Sequence, residues 1–230
     1  MTLAVITGRW GRSLEPARQG SQPASRPGPA RGTIPAMSTT GPDRLPLTGD
    51  DAADRYLVEE PLALLVGFAL DQQVTVQKAF SGPYEIRRRL GHLDAARIAA
   101  MPAEDLDRTF RTPPAIHRFP SSMATKVQGL CAVIAERYGN DAGRIWREAH
   151  DGRDLRERLA GLPGFGPMKV AGTLAILGKR LGVDVPGLAE VLPTHATLGD
   201  VDSPEALARY QAGKRAAKAE ARAAKGSAGA

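Results

Sequence analysis

The stretch LAGLPGFGPMKVAGTLAIL, residues 159–177, sets a turn rich in glycine and proline against an apolar helical pattern. Gly164 and Gly166 carry no side chain, so they tolerate positive φ and let the backbone approach a partner closely. Pro167 is placed to open a helix that runs to about Leu177, and the segment before Gly161 is also helical, which makes a tight αα turn. Amides at the start of such a helix point outward without partners, and the helix dipole adds partial positive charge there. Phosphate oxygen is a natural ligand for that arrangement. Contacts through the backbone position DNA without reading its sequence. Lys169, Lys179 and Arg180 would add screened attraction at longer range.

Working outward, the chain has the punctuation of short helices. EEPLALLVGFALDQQV has acidic residues and Pro61 at a helix start, then Leu62, Leu65, Val66 and Ala69 at helical spacing. TVQKAFSG begins a second helix, PYEIRRRLG and DAARIAAM follow, and Pro102 opens another over PAEDLDRTFR. TPPAIHRFP, residues 112–120, reads as a proline-rich loop. Ser121 or Ser122 then caps a helix whose stripe is Met123, Val127, Leu130, Cys131, Ile134 and Ala135. Short helices are expected near 142–149 and 154–160, and 181–202 reads as loop with one helical turn. Ser203 caps a last helix that decays into a basic, Ala-rich tail over 209–230. No alternating run suggests a sheet, so the expected class is all-α.

The chain has 230 residues, of which 42% are hydrophobic and only 5% aromatic, and a net charge of +6. That charge is uneven. Residues 1–40 hold five Arg and one Glu, and residues 209–230 hold six Lys or Arg and one Glu, so the span 41–208 is left at −3. Nucleic-acid affinity in the middle must therefore come from a local patch. Residues 1–40, rich in Pro, Gly, Ser and Arg, read as a disordered leader, with Met37 as an alternative translation start. The same Arg-rich, acid-poor composition is also that of an organelle transit peptide. The single Cys131 excludes an intrachain disulfide and a four-cysteine iron–sulfur cluster, and fits a reducing, cytoplasmic compartment. No Cys/His set spells a zinc site. MTLAVIT is too short for a membrane span.

Two motifs carry a resemblance. LAGLPGFGPMKVAGTLAIL resembles the helix-hairpin-helix of the HhH-GPD DNA glycosylase superfamily, and EEPLALLVGFALDQQVTVQKA, residues 59–79, resembles its entry helix. The closest likeness is to the alkylpurine (3-methyladenine) glycosylase branch. The resemblance covers roughly 55–200 and implies a helical glycosylase domain over 45–208, with two subdomains flanking a cleft. It further implies a monomer acting in base-excision repair near the nucleoid, on double-stranded DNA containing a damaged base. The base is flipped and hydrolytically removed. An alternative is a catalytically inactive DNA-binding or lesion-sensing protein of the same fold. No cofactor is implied beyond a monovalent cation at the hairpin, and no iron–sulfur cluster.

The resemblance also distributes roles. Asp184, in LGVDVPG, stands where the family keeps its catalytic carboxylate, although its spacing from the hairpin is short. Aligning the two turn glycines puts Met168 at the place of the lysine that bifunctional members use as nucleophile. Lys169 is one step on, about 100° around the helix, which makes it a phosphate contact or a solvated charge and the enzyme monofunctional. One added residue in the turn would reverse that assignment. Leu162, Gly164, Phe165, Gly166, Met168 and Lys169 form the expected DNA-binding hairpin, joined by Gln73 and Arg118. Gln72 and Gln73 read equally as polar residues at a helix end. His117, Arg118 and Phe119 suit a wedge or phosphate contact, though a lone His is more often packed. Arg87, Arg88 and Arg89 read as a solvated face, and Asp200 and Asp202 as turn and cap residues. Phe68, Tyr84 and Trp146 are candidates to line a base pocket.

Overall fold

The computed structural model describes residues 41–227, and side chains as far as residue 220. The expectations for the leader, including a start at Met37, lie outside those residues. Every regular element among the described residues is helical. No helix there is long and apolar enough to cross a membrane.

The middle of the fold is α2, Pro61–Leu70, because PLALLVGFAL is apolar on every face. From Leu62 to Leu70 all its residues are buried. It must therefore be covered on all sides. The first helix, α1, Asp51–Glu59, packs on it and is capped by the Asp50 side chain, which accepts the Ala53 amide. The buried Asp54 carboxylate accepts the amides of Leu47 and Thr48, which holds Leu45 and Leu47 in the core.

A long α3, Val76–Leu90, starts on a Thr75 cap and stops at Gly91 in the left-handed region. Two separate helices were expected here, but one helix runs straight through Pro83. The reason is burial. Val76, Ala79, Phe80, Pro83 and Ile86 form one continuous stripe against α2, and that packing outweighs the lost hydrogen bond.

On the other side of α2 lies α6 (Pro120–Tyr138), and α4 (Ala95–Ala99) and α5 (Ala103–Arg111) pack on α6 in turn. The α6 stripe is as expected, but its start is not. Phe119 holds the N-cap position with Pro120 next, and neither Ser121 nor Ser122 caps. Short α7, Arg144–Arg147, leads to α8, Gly152–Ala160.

Beyond the turn 161–166 comes α9, Pro167–Lys179, which packs against α8, against α2 and against a 3-10 turn at Leu198–Asp200. The approaches are close at glycine. A Cβ on Gly172 would stand 2.9 Å from the Phe68 ring, and one on Gly199 would stand 2.5 Å from the Ala175 backbone. α10, Leu188–Val191, packs on α8.

Last, α11, Pro204–Ser227, is one helix where a decaying tail was expected. Ser203 does cap it, accepting the Ala206 amide. Its Gln211 side chain donates to that of Gln77 on α3 at 2.8 Å, and residues 212–220 beyond it are exposed.

Candidate functional site

Leu162 and Phe165 are buried and anchor the α8–α9 turn, with the Phe165 ring tilted against Phe68 of α2, centroids 6.5 Å apart. Between and after them Gly164, at φ 77°, Gly166 and Met168 are exposed. The Phe165 amide is held by the Leu162 carbonyl, and the amides of Lys169 and Val170 by that of Gly166. The amides of Gly164, Gly166 and Met168 meet no protein acceptor among the described residues. The turn thus presents three free donors to solvent at the positive end of a helix.

Gly166 is extended and Pro167 is the first helical residue, as expected. Met168 points outward and is 66% exposed. Lys169 turns inward, and its Nζ donates to the Ala69 carbonyl at the end of α2, at 3.1 Å. This reverses the expectation that Lys169 is a solvated charge or phosphate contact. Burial of the ammonium lowers the Lys169 pKa to about 8, against a pull upward from the Asp71 charge, while nearby Lys126 lowers it further.

The other groups around this amine come from the α2–α3 connection. Asp71 is the C-cap residue of α2. Gln72 Nε2 shares the Ala69 carbonyl at 3.0 Å, and its Oε1 accepts Lys126 Nζ of α6 at 2.7 Å. Gln73 is exposed and holds a left-handed φ of 56°, unusual for a residue with a side chain.

His117 is buried. Its Nε2 lies 3.0 Å from the Gln72 carbonyl, and its Nδ1 accepts the Phe119 amide. Those partners fix a neutral ring with the proton on Nε2, and burial lowers its pKa accordingly. It is a latch between two loops. Beside it the Arg118 guanidinium stacks on the Phe119 ring, 4.7 Å from its centre, and Phe119 is 41% exposed.

Asp184 is elsewhere. It follows the far end of α9, in a segment that packs on the start of α8, where the Gly152 amide donates to the Pro186 carbonyl at 2.8 Å. The turn lies at the opposite ends of both helices, and α9, with its 13 residues, is about 20 Å long. Asp184 is exposed and is not brought together with Lys169.

Other expected contributors are structural. Lys179 pairs with Asp200 at 2.6 Å, and Asp200 closes a capping box with Thr197. Arg89 is not part of a solvated face. It pairs with Glu85 and donates to the carbonyls of Thr109, Thr112 and Pro114. Arg87 stacks on Tyr56. Phe68 and Trp146 are core residues, whereas Tyr84 packs edge-on to Tyr56 and borders a surface pocket with Lys78, Glu85 and Arg88, none of them a residue of the hairpin.

Asp71 and Lys126 were missed in the sequence. The one signal for Asp71 was an acidic residue at a helix C-terminus, where the dipole disfavours it.

No protein-family model, curated protein or solved structure matches the chain.

Proposed function

We propose that the protein is a DNA N-glycosylase of base-excision repair that grips duplex DNA through a helix-hairpin-helix, formed by α8, the turn and α9. In this reading α1–α7 and α8–α11 flank a cleft, and the cleft receives a damaged base flipped out of the stack. The three free amides of Gly164, Gly166 and Met168 support it, since they are the donors a phosphate needs. The carbonyls of the same turn offer only oxygen, a donor set that suits a hard monovalent cation between hairpin and phosphate. Gln73 and Arg118 stand on the two loops joined by His117, within the same region of the fold.

The observation that carries the proposal is Lys169. An amine with a pKa near 8, held by the hairpin and half-buried, is a nucleophile available near neutral pH. Its natural electrophile is C1′ of the flipped nucleotide, where attack displaces the base and leaves a Schiff base on the sugar. This favours amine chemistry over water attack assisted by Asp184. A second reading, a DNA-binding or lesion-sensing protein without catalysis, draws on the placement of Asp184 away from the hairpin.

The test is incubation of the full chain with duplex oligonucleotides carrying uracil, alkylated, oxidised or deaminated bases, with borohydride present. The expected result is base release and a covalent adduct on at least one duplex. Duplex binding without release or adduct supports the lesion-sensing reading, and no duplex binding at all defeats both.

A further inference from the structure

Asp71 is costly where it stands. It caps the carbonyl end of α2, where the dipole already carries partial negative charge, and it is half-buried. Its carboxylate has no hydrogen-bond or ion-pair partner among the described residues. Desolvation raises its pKa in spite of two nearby ammonium groups, Lys169 on α9 and Lys214 on α11. The remaining charge facing the Lys169 amine is Lys126 of α6, which is bound to Gln72. His117 is turned to the Gln72 carbonyl, with Lys78 and Arg118 near its ring. Lys169 Nζ sits on the carbonyl of Ala69, two residues before Asp71, so the end of α2 carries both, and no side-chain hydrogen bond or ion pair among the described residues holds the Asp71 carboxylate.

We infer that Asp71 is the proton acceptor for Lys169, the carboxylate that amine attack on a sugar requires and that Asp184 is not placed to supply. The inference rests on the glycosylase reading and deepens it. In the reaction the neutral Lys169 amine gives its lone pair to C1′. The C1′–N bond to the base breaks, and its electron pair leaves with the base, which takes a proton from water. The nitrogen now bonded to C1′ carries two protons and a positive charge. Asp71 takes one of them through a single bridging water, since the two side chains are not in ion-pair contact. The freed lone pair forms the C1′=N bond as the C1′–O4′ bond breaks. O4′ keeps that electron pair and receives the proton from Asp71, which leaves a protonated Schiff base and a regenerated carboxylate.

The experiment is borohydride trapping of the full chain on a duplex oligonucleotide with one abasic site, from pH 5 to pH 9. Lys169→Ala is expected to abolish the adduct. Asp71→Asn is expected to slow initial trapping by about tenfold or more at every pH, while the rise with pH set by the Lys169 amine remains, with partial recovery in Asp71→Glu. Urea unfolding of each variant shows that it is folded. A purely electrostatic neighbour behaves differently. Losing its negative charge lowers the lysine pKa further, so trapping would slide to lower pH and quicken at pH 7. That outcome, or an unchanged profile, overturns the inference and leaves the glycosylase reading standing. Absence of any adduct with the wild-type chain overturns both.

Discussion

Lys169 and Ala69 are one hundred residues apart in the chain and 3.1 Å apart in the fold, joined by a hydrogen bond from Nζ to the carbonyl. This bond ties the first turn of α9 to the last turn of α2. It requires an ammonium group to leave water for a site where one carbonyl and a distant carboxylate replace the lost hydration.

Stability should therefore depend on pH through Lys169. Its pKa falls from 10.5 to about 8 in the folded chain, so between those values the unfolded chain binds more protons and stability rises with pH. Below pH 8 the full cost is present. The shift corresponds to roughly 3 kcal/mol at most, and screening at a partly exposed site reduces this to about 1–2 kcal/mol. Lys169→Met should raise the urea midpoint at pH 7 and flatten the rise between pH 8 and 10.5.

Asp184→Asn separates the two carboxylates. Its side chain is exposed and sits at the far end of the α8–α9 pair. Base release and borohydride trapping should be unchanged by this substitution, whereas Lys169→Ala should lose both. Loss of base release in Asp184→Asn would return the catalytic role to that residue.

Gly164 tests the hairpin. At φ 77° with open space around it, alanine meets no clash but pays the left-handed backbone penalty, about 1 kcal/mol. The turn should relax, and the Gly164 amide should lose its phosphate. Duplex binding by Gly164→Ala should weaken uniformly across sequences, and its salt slope should fall by about one relative to wild type. The basic α11 is the same in both proteins and cancels from the comparison.

Arg89→Lys should destabilise the fold although the charge is kept. Three carbonyls and Glu85 are held by the fork of one guanidinium, a geometry an ammonium cannot reproduce. A loss of about 2 kcal/mol is expected from the unsatisfied carbonyls. It would be read in urea unfolding at pH 7.

The all-helical class and most helix starts were legible, because Pro61, Pro167 and Ser203 act locally and leave their mark in a few residues. Pro83 misled for the complementary reason. Its local cost is offset by burial against α2, which no neighbouring residue announces. The site was less legible. Pro167 opens α9 as read, but the directions of Met168 and Lys169 follow from how α9 packs on α2, which spacing alone does not give. Asp71 stayed hidden because its meaning depends on Lys169 and Lys214, each more than ninety residues away. The contact of α11 with α3 likewise joins residues far apart in the chain, Gln211 and Gln77.

A methyl at position 172 would stand 2.9 Å from the Phe68 ring, closer than side chains pack. The missing side chain lets α9 lie close on α2, the same packing that brings the Lys169 amine to the Ala69 carbonyl. Position 172 has no chemistry of its own, yet its size bears on how closely the two helices lie. Gly172→Ala is then an adjustment screw: a single methyl that lifts α9, wets the amine and moves its protonation back toward that of an ordinary lysine.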